Sequence, residues 1–256
     1  MTAPRRIRAA LYAVATVAVI ETTPNAARAQ ERPWRSEIEA NASALFGATS
    51  QTLAALTTAL SHDGKALSAN ASFKFRYGES EDQDRVKFVS ARGWAVTTSV
   101  DFTPKDRFSP FFFASVEASL EKAIANRRAG GAGAKWVFAK SNTGSASVSL
   151  AILGERTAAL SDTAVAPTRV ARWSWRAKMN QRVDDRLSLT HVTFYAPIVN
   201  APSQYTITST SVGSYAINKT VALTLTFTDN YDSQARMRGA RANNDGSLLF
   251  GIHGTF

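Results

Sequence analysis

No cysteine occurs among the 256 residues. That excludes a disulfide framework, a thiol nucleophile and any Cys-ligated metal. Histidine is almost as scarce: His62, His191 and His253 lie too far apart to place two ligands on one helical face, so zinc chemistry of the H-E-x-x-H type is excluded too. There is no Gly-x-Ser-x-Gly elbow, no phosphate-binding loop and no dinucleotide fingerprint. The sequence therefore points to no cofactor, no metal and no catalytic residue. Long apolar runs are missing as well. Past the N-terminal stretch, no segment approaches the roughly 18 consecutive apolar residues that a membrane helix needs.

What the N-terminal stretch does hold is the layout of a secretory signal peptide over residues 1–29. Arg5, Arg6 and Arg8 precede an apolar run over 9–20, and Ala27-Arg28-Ala29 supplies an A-x-A cleavage site. The chain has 30 Lys+Arg against 20 Asp+Glu; removing the four arginines and Glu21 of the signal leaves 26 against 19. The excess is spread through alternating segments rather than gathered in an aromatic-studded basic patch, so nucleic acid is excluded as a partner. An exported chain without a membrane helix is a soluble envelope protein or a barrel.

After a short polar lead over residues 30–36, the chain reads as strand after strand with no break in composition, giving one domain over 37–256. Leu67, Ala69, Ala71, Phe73, Phe75 and Tyr77 oppose Ser68, Asn70, Ser72, Lys74 and Arg76 at period two. Trp173, Trp175, Ala177 and Met179 oppose Arg172, Ser174, Arg176 and Lys178, and Leu223, Leu225 and Phe227 oppose threonines in the same way. A soluble sandwich would alternate too, but several of these segments hold the pattern for about 9 to 11 residues, the length of a tilted membrane strand, whereas soluble strands average nearer 5 to 6. Strands are expected at 37–47, 51–60, 66–78, 86–101, 110–121, 132–140, 145–155, 168–179, 187–197, 203–216, 219–229 and 245–256. Short turns alternate with longer polar links at 79–85, 122–131, 156–168, 197–203 and 230–245. The fold class this predicts is all-β: an antiparallel up-and-down transmembrane β-barrel of about 12 strands, preceded by a cleaved signal peptide, in the bacterial outer membrane.

The final strand is the clearest of the set. Leu248, Phe250, Ile252 and Phe256 fall on one face, and Leu249, Gly251, His253 and Thr255 on the other. The first face suits lipid and the second a lumen. A terminal Phe256 on a closing strand reads as the assembly signal, with the barrel-assembly machinery and outer-membrane lipid as the partners it implies.

Several stretches also resemble a known family. Phe108-Ser109-Pro110-Phe111-Phe112-Phe113-Ala114-Ser115-Val116-Glu117, then Arg128-Ala129-Gly130-Gly131-Ala132-Gly133-Ala134-Lys135, Ser188-Leu189-Thr190 and Thr228-Asp229-Asn230-Tyr231-Asp232-Ser233 before the closing strand are similar to the salt-induced outer-membrane proteins, a domain-of-unknown-function family of barrels. The resemblance runs from Trp34 to Phe256. It implies a barrel and an outer-membrane address and carries over no catalytic residue. The chain departs from it after the first strand, where Ala48-Thr49-Ser50 replaces a Gly-Asn turn. Separately, Gly254 departs from the aromatic often found two places before the end of a closing strand, which weakens the Phe256 signal.

Within such a barrel the alternation turns Lys74, Arg76, Arg172, Arg176 and Lys178 inward, together with Glu117, Glu121 and His253. An open lumen of that kind would prefer small anions; a closed one would be filled by ion pairs. The expected role is structural or narrowly porin-like, and not enzymatic. Two other classes compete: a lipid-acting outer-membrane enzyme, which needs a histidine with a neighbouring serine and an acid on the lipid side, and a soluble exported β-sandwich that binds a ligand. Ser188, Thr190 and His191 form no recognisable nucleophile motif.

Overall fold

A computed structural model of the chain describes residues 34–45, 50–81, 85–160 and 167–256. The signal peptide expected over 1–29 lies outside the described residues, as does most of the lead that follows it. The rest forms twelve antiparallel strands: β1 (Trp34–Leu45), β2 (Gln51–Asp63), β3 (Leu67–Glu81), β4 (Lys87–Phe102), β5 (Phe108–Ser119), β6 (Ile124–Lys140), β7 (Gly144–Ala159), β8 (Thr168–Arg182), β9 (Leu187–Ile198), β10 (Ala201–Ala216), β11 (Val221–Asp232) and β12 (Asn244–Thr255). Each pairs with its neighbours in sequence, and β1 pairs with β12 to close the ring. Closure leaves no free sheet edge, so the backbone N–H and C=O groups of the wall pair between strands instead of facing hydrocarbon along a whole edge.

The seam is shorter than the other junctions. β1 and β12 are in register from Glu37↔Thr255 to Ala42↔Phe250, and beyond that the Ser36 N–H donates to Phe256 O at 3.0 Å while the Phe256 N–H donates to Ser36 O at 2.9 Å. The first hairpin, whose family turn is replaced, nevertheless pairs over twelve positions from Trp34↔His62 to Leu45↔Gln51. Twelve strands bring the start of β1 and the end of β12 to one end of the barrel, here called the terminal end. The links there are three to five residues long, against two to eleven at the far end. In the β8–β9 turn Asp184 Oδ1 accepts from the N–H groups of Arg186 and Leu187, both at 2.7 Å. Those two donors hold its carboxyl below the usual aspartate range.

Several links differ from expectation: those over 156–168 and 230–245 are shortened because β7 runs on to Ala159 and β11 to Asp232, and two others are mostly wall. The sixth strand begins at Ile124 rather than 132, so most of 122–131 is wall and only 120–123 reverse the chain. Its arginines and glycines look like loop composition, yet the glycines have a structural cause: a Cβ at Gly131 would collide with the carbonyl oxygen of Ile152, and one at Gly133 with that of Leu150. β6 and β7 run too close there for a side chain. The stretch 197–203 is likewise not a loop, because β9 ends at Ile198 and β10 starts at Ala201 with only two residues between them. Pro197, which suggests a break, is tolerated because it sits at a strand end. At the last far-end link, β11 continues to Asp232 and the chain makes a 3-10 turn at Arg236–Arg238, ended by Gly239 at φ 95°.

The distribution of apolar surface is the inverse of a soluble protein's. Large side chains point outward: Phe112 is 57 % exposed, Trp175 52 % and Phe250 65 %, whereas the adjacent inward Leu249 is 8 % exposed. Among the described residues the buried apolar cluster inside is small: Leu53, Ala91 and Leu249, with Ala55 beside it. A soluble sandwich would bury its aromatics between two sheets. Here most of them form an apolar exterior, which in water would be an aggregation surface and in a bilayer is a solvated one; Phe111, Phe113 and Phe194 take inward positions, Phe194 opposite Arg176.

Candidate functional site

The interior of the barrel is where the polar chemistry collects, and its far-end half is built from ion pairs. Arg127, inward on β6 and nearly buried, is the hub. Its guanidinium lies 2.9 Å from Glu117 on β5, 3.7 Å from Glu155 on β7 and 3.1 Å from Asp232 on β11. β6 and β11 are not neighbours in the ring, so the Arg127–Asp232 bond crosses the interior. Asp232 also holds Arg238 of the last far-end link, whose Nε donates to the Lys122 carbonyl at 3.3 Å. Glu155 accepts two hydrogen bonds from Arg172 on β8, at 3.1 and 3.2 Å, and Arg172 donates a third to the Ala196 carbonyl. A second crossing is made by Arg76 on β3, 3.0 Å from Glu121 and 3.3 Å from Asp245 on β12. The Lys122 ammonium, 3.8 Å from Glu117, completes the set: five cations and five carboxylates meet here, and their formal charges cancel.

The other half of the interior is different. Lys135 on β6 pairs with Asp101 on β4 at 2.8 Å, and Glu39 on β1 accepts from the hydroxyl of Thr224 at 3.2 Å. Lys74, Arg176 and Lys178 share this face by register, Lys74 opposite Thr57, Arg176 opposite Ser149 and Lys178 opposite Ser147. None of the three is within ion-pair distance of a carboxylate among the described residues. The Arg176 guanidinium lies 5.9 Å from the centroid of the Phe194 ring, and its Nε is buried without a hydrogen-bond partner. Glu37 and Glu39 face the same space from β1, so the free positive charge is concentrated on β3 and β8 instead of being spread around the wall.

Of the residues singled out in the sequence, Arg76, Glu117, Glu121 and Arg172 belong to the paired half, and Lys74, Arg176 and Lys178 to the unpaired one; Glu121, expected on the strand, sits in the turn after β5, which ends at Ser119. His253 lies on the inner face of β12, its Nε2 3.1 Å from Thr255 Oγ1. Phe256 sits at the seam. Arg127, Glu155, Asp232, Asp245, Lys135 and Asp101 complete the interior and are not among the residues the alternation singles out. The loop-like composition of 122–131 hides Arg127, whereas two more steps of the inward series Thr224, Thr226, Thr228 reach Asp232. His191, by contrast, faces outward from β9, with Nδ1 2.8 Å from Ser211 Oγ and Nε2 2.9 Å from Thr193 Oγ1. Hydroxyls occupy both ring nitrogens, which makes this a self-satisfied polar cluster in the wall. Among the described residues no three His, Asp or Glu are placed to hold a metal ion.

A closed antiparallel barrel, apolar outside and ion-paired inside, is the architecture of the outer-membrane β-barrels. More particularly, the chain belongs to the family described as "Protein of unknown function, DUF481", whose model matches residues 38–256. None of the curated proteins matches it. Among solved structures it is similar to the NanC porin, at 9 % identity and a TM-score of 0.51 over 86 % of this chain and 98 % of that one. It is similar also to the COG4313 outer membrane channel from Pseudomonas putida F1, at 9 % identity and a TM-score of 0.51 over 92 % and 99 %. At such identity the likeness is one of fold.

Proposed function

We propose that this protein is exported by its N-terminal signal, is inserted by the barrel-assembly machinery into the bacterial outer membrane, and serves there as a narrow anion-preferring channel with no catalytic role of its own. The terminal end of the barrel faces the periplasm and the far end the exterior. The observation that carries this reading is the trio Lys74, Arg176 and Lys178, free of ion pairs beneath a charge-balanced network. Against Glu37 and Glu39 in the same space, the three cations leave this half of the interior net positive by one, with the positive groups gathered on β3 and β8; such a bias in a confined interior raises the local concentration of anions and disfavours cations. The network above them narrows the passage, because its bonds run from wall to wall. The fold of the two similar channels is consistent with such a role.

The test is conduction. In planar bilayers under a KCl gradient the protein gives small channels whose reversal potential has the sign of chloride permeation, and Arg176→Glu moves that potential toward zero while the folded band on unheated gels persists. A preference for cations in the unmodified protein would overturn the reading. The bonds from β6 to β11 favour a second reading, a closed structural barrel. It predicts electrically silent protein, in which Arg176→Glu leaves nothing to measure but stability.

A further inference from the structure

On the outer wall, away from the lumen, three arginines stand in one row. Arg128 on β6 is in register with Arg156 on β7, and Arg156 with Arg169 on β8. Their neighbours Arg127, Glu155 and Arg172 point inward, so period two turns these three outward, and all three are exposed. Like charges directly opposite each other on adjacent strands destabilise a sheet. Yet no carboxylate pairs with the row among the described residues; Arg128 Nε alone has a partner, the Asn126 side-chain oxygen at 3.0 Å.

The height of the row on the wall says what it meets. On β7 the outward positions below Arg156 are Gly154, Ile152, Leu150, Val148 and Ala146, five apolar positions that cover nine residues of strand. At roughly 3.3 Å per residue and a tilt of about 40° it spans about 23 Å, close to the apolar band of such barrels. Arg156 is the first charge above that band, at the level of lipid headgroups on the far-end side. Directly beneath the arginines the wall is indented. Gly130 and Gly154 are in register with each other and with Ala114 and Ala171, and these residues with the arginines line a shallow depression of about 730 Å³. A cationic row set over a hollow in the apolar wall is complementary to a molecule with a phosphorylated head and acyl chains. Guanidinium groups bind phosphate bidentately, and more so where water is partly excluded.

We infer that Arg128, Arg156 and Arg169 form a site for a phosphorylated acyl lipid of the outer leaflet, whose phosphate bridges the arginines and relieves their repulsion while one chain lies in the hollow over Gly130 and Gly154. This rests on membrane residence and not on conduction, so the two fail separately.

The experiment titrates the full barrel in detergent with bisphosphorylated lipid A and reads bound lipid by native mass spectrometry. One lipid is retained per barrel. The variant Arg128→Gln/Arg156→Gln/Arg169→Gln weakens retention at least tenfold, with folded-band mobility and single-channel conductance unchanged because the side chains face away from the lumen. Gly154→Leu also weakens it; a Cβ there meets nothing within 4 Å, so the barrel accepts the side chain. Lipid A stripped of its phosphates is retained no better by the native protein than by the triple variant. Inorganic phosphate at the same concentration does not displace the lipid. Equal retention of lipid A by native and triple-variant protein would overturn the site. Displacement by inorganic phosphate, with no effect of Gly154→Leu, would reduce it to a patch for free anions.

Discussion

Arg127 is the residue whose removal separates a packed interior from a water-filled one. Replacing it with methionine keeps most of the side-chain length and deletes the charge. Glu117, Glu155 and Asp232 each lose a contact of 2.9 to 3.7 Å, and keep one cation apiece: Lys122, Arg172 and Arg238. Breaking a buried pair by removing one partner costs about 3 to 5 kcal/mol, mainly because the remaining charge stays desolvated. Three carboxylates are affected, but each retains a partner, so the loss is placed in that range and not at three times it. For a domain of this size about 1 kcal/mol shifts the melting point by roughly 2 to 4 °C, so the drop is on the order of 6 to 20 °C. The assay is the temperature at which the fast, folded band gives way to the slow one on gels of the detergent-solubilised protein. Arg127→Met should also raise single-channel conductance, because the bond across the interior to Asp232 is lost. The double variant Arg127→Met/Asp232→Asn should recover part of the stability. If Arg127→Met melts within about 2 °C of the native protein, water already screens these charges, and the constriction argued from them does not exist.

Two further outcomes test the wall. Deleting Phe256 removes the hydrogen bonds to Ser36 that extend the six-pair seam, and should lower outer-membrane levels well below those of a Met237 deletion in the exposed 3-10 turn; immunoblots of membrane fractions showing equal levels would refute a role for the terminal residue in closure. Gly131→Val places a branched side chain against the Ile152 carbonyl and should abolish the folded, heat-modifiable band, whereas Gly154→Val, at a position with open space, should leave it intact; equal behaviour of the two would show that the close approach of β6 and β7 is not what selects glycine.

Much of this barrel is written locally in the chain. Alternation with period two is a property of neighbouring residues, so Phe73 and Phe75 against Lys74 and Arg76, or Leu248, Phe250 and Ile252 against Leu249 and Gly251, declare both the strand and the two environments it separates. Their length declares the membrane, and twelve such segments declare a ring with its first and last strands together. Where local composition misled, at 122–131 and 197–203, the cause was tertiary: glycine was selected by the approach of β7, and Pro197 was permitted by a strand end. The interior needed the ring itself. Arg127 and Asp232 are 105 residues apart, and only closure and the register of each strand on the next bring them together. The same registers align Arg128, Arg156 and Arg169 on the outer wall, although their spacing in the chain has no period. A strand's sequence fixes which face each side chain takes, because that follows from backbone geometry; which side chains then meet depends on the stagger of twelve strands, a property that no single strand contains.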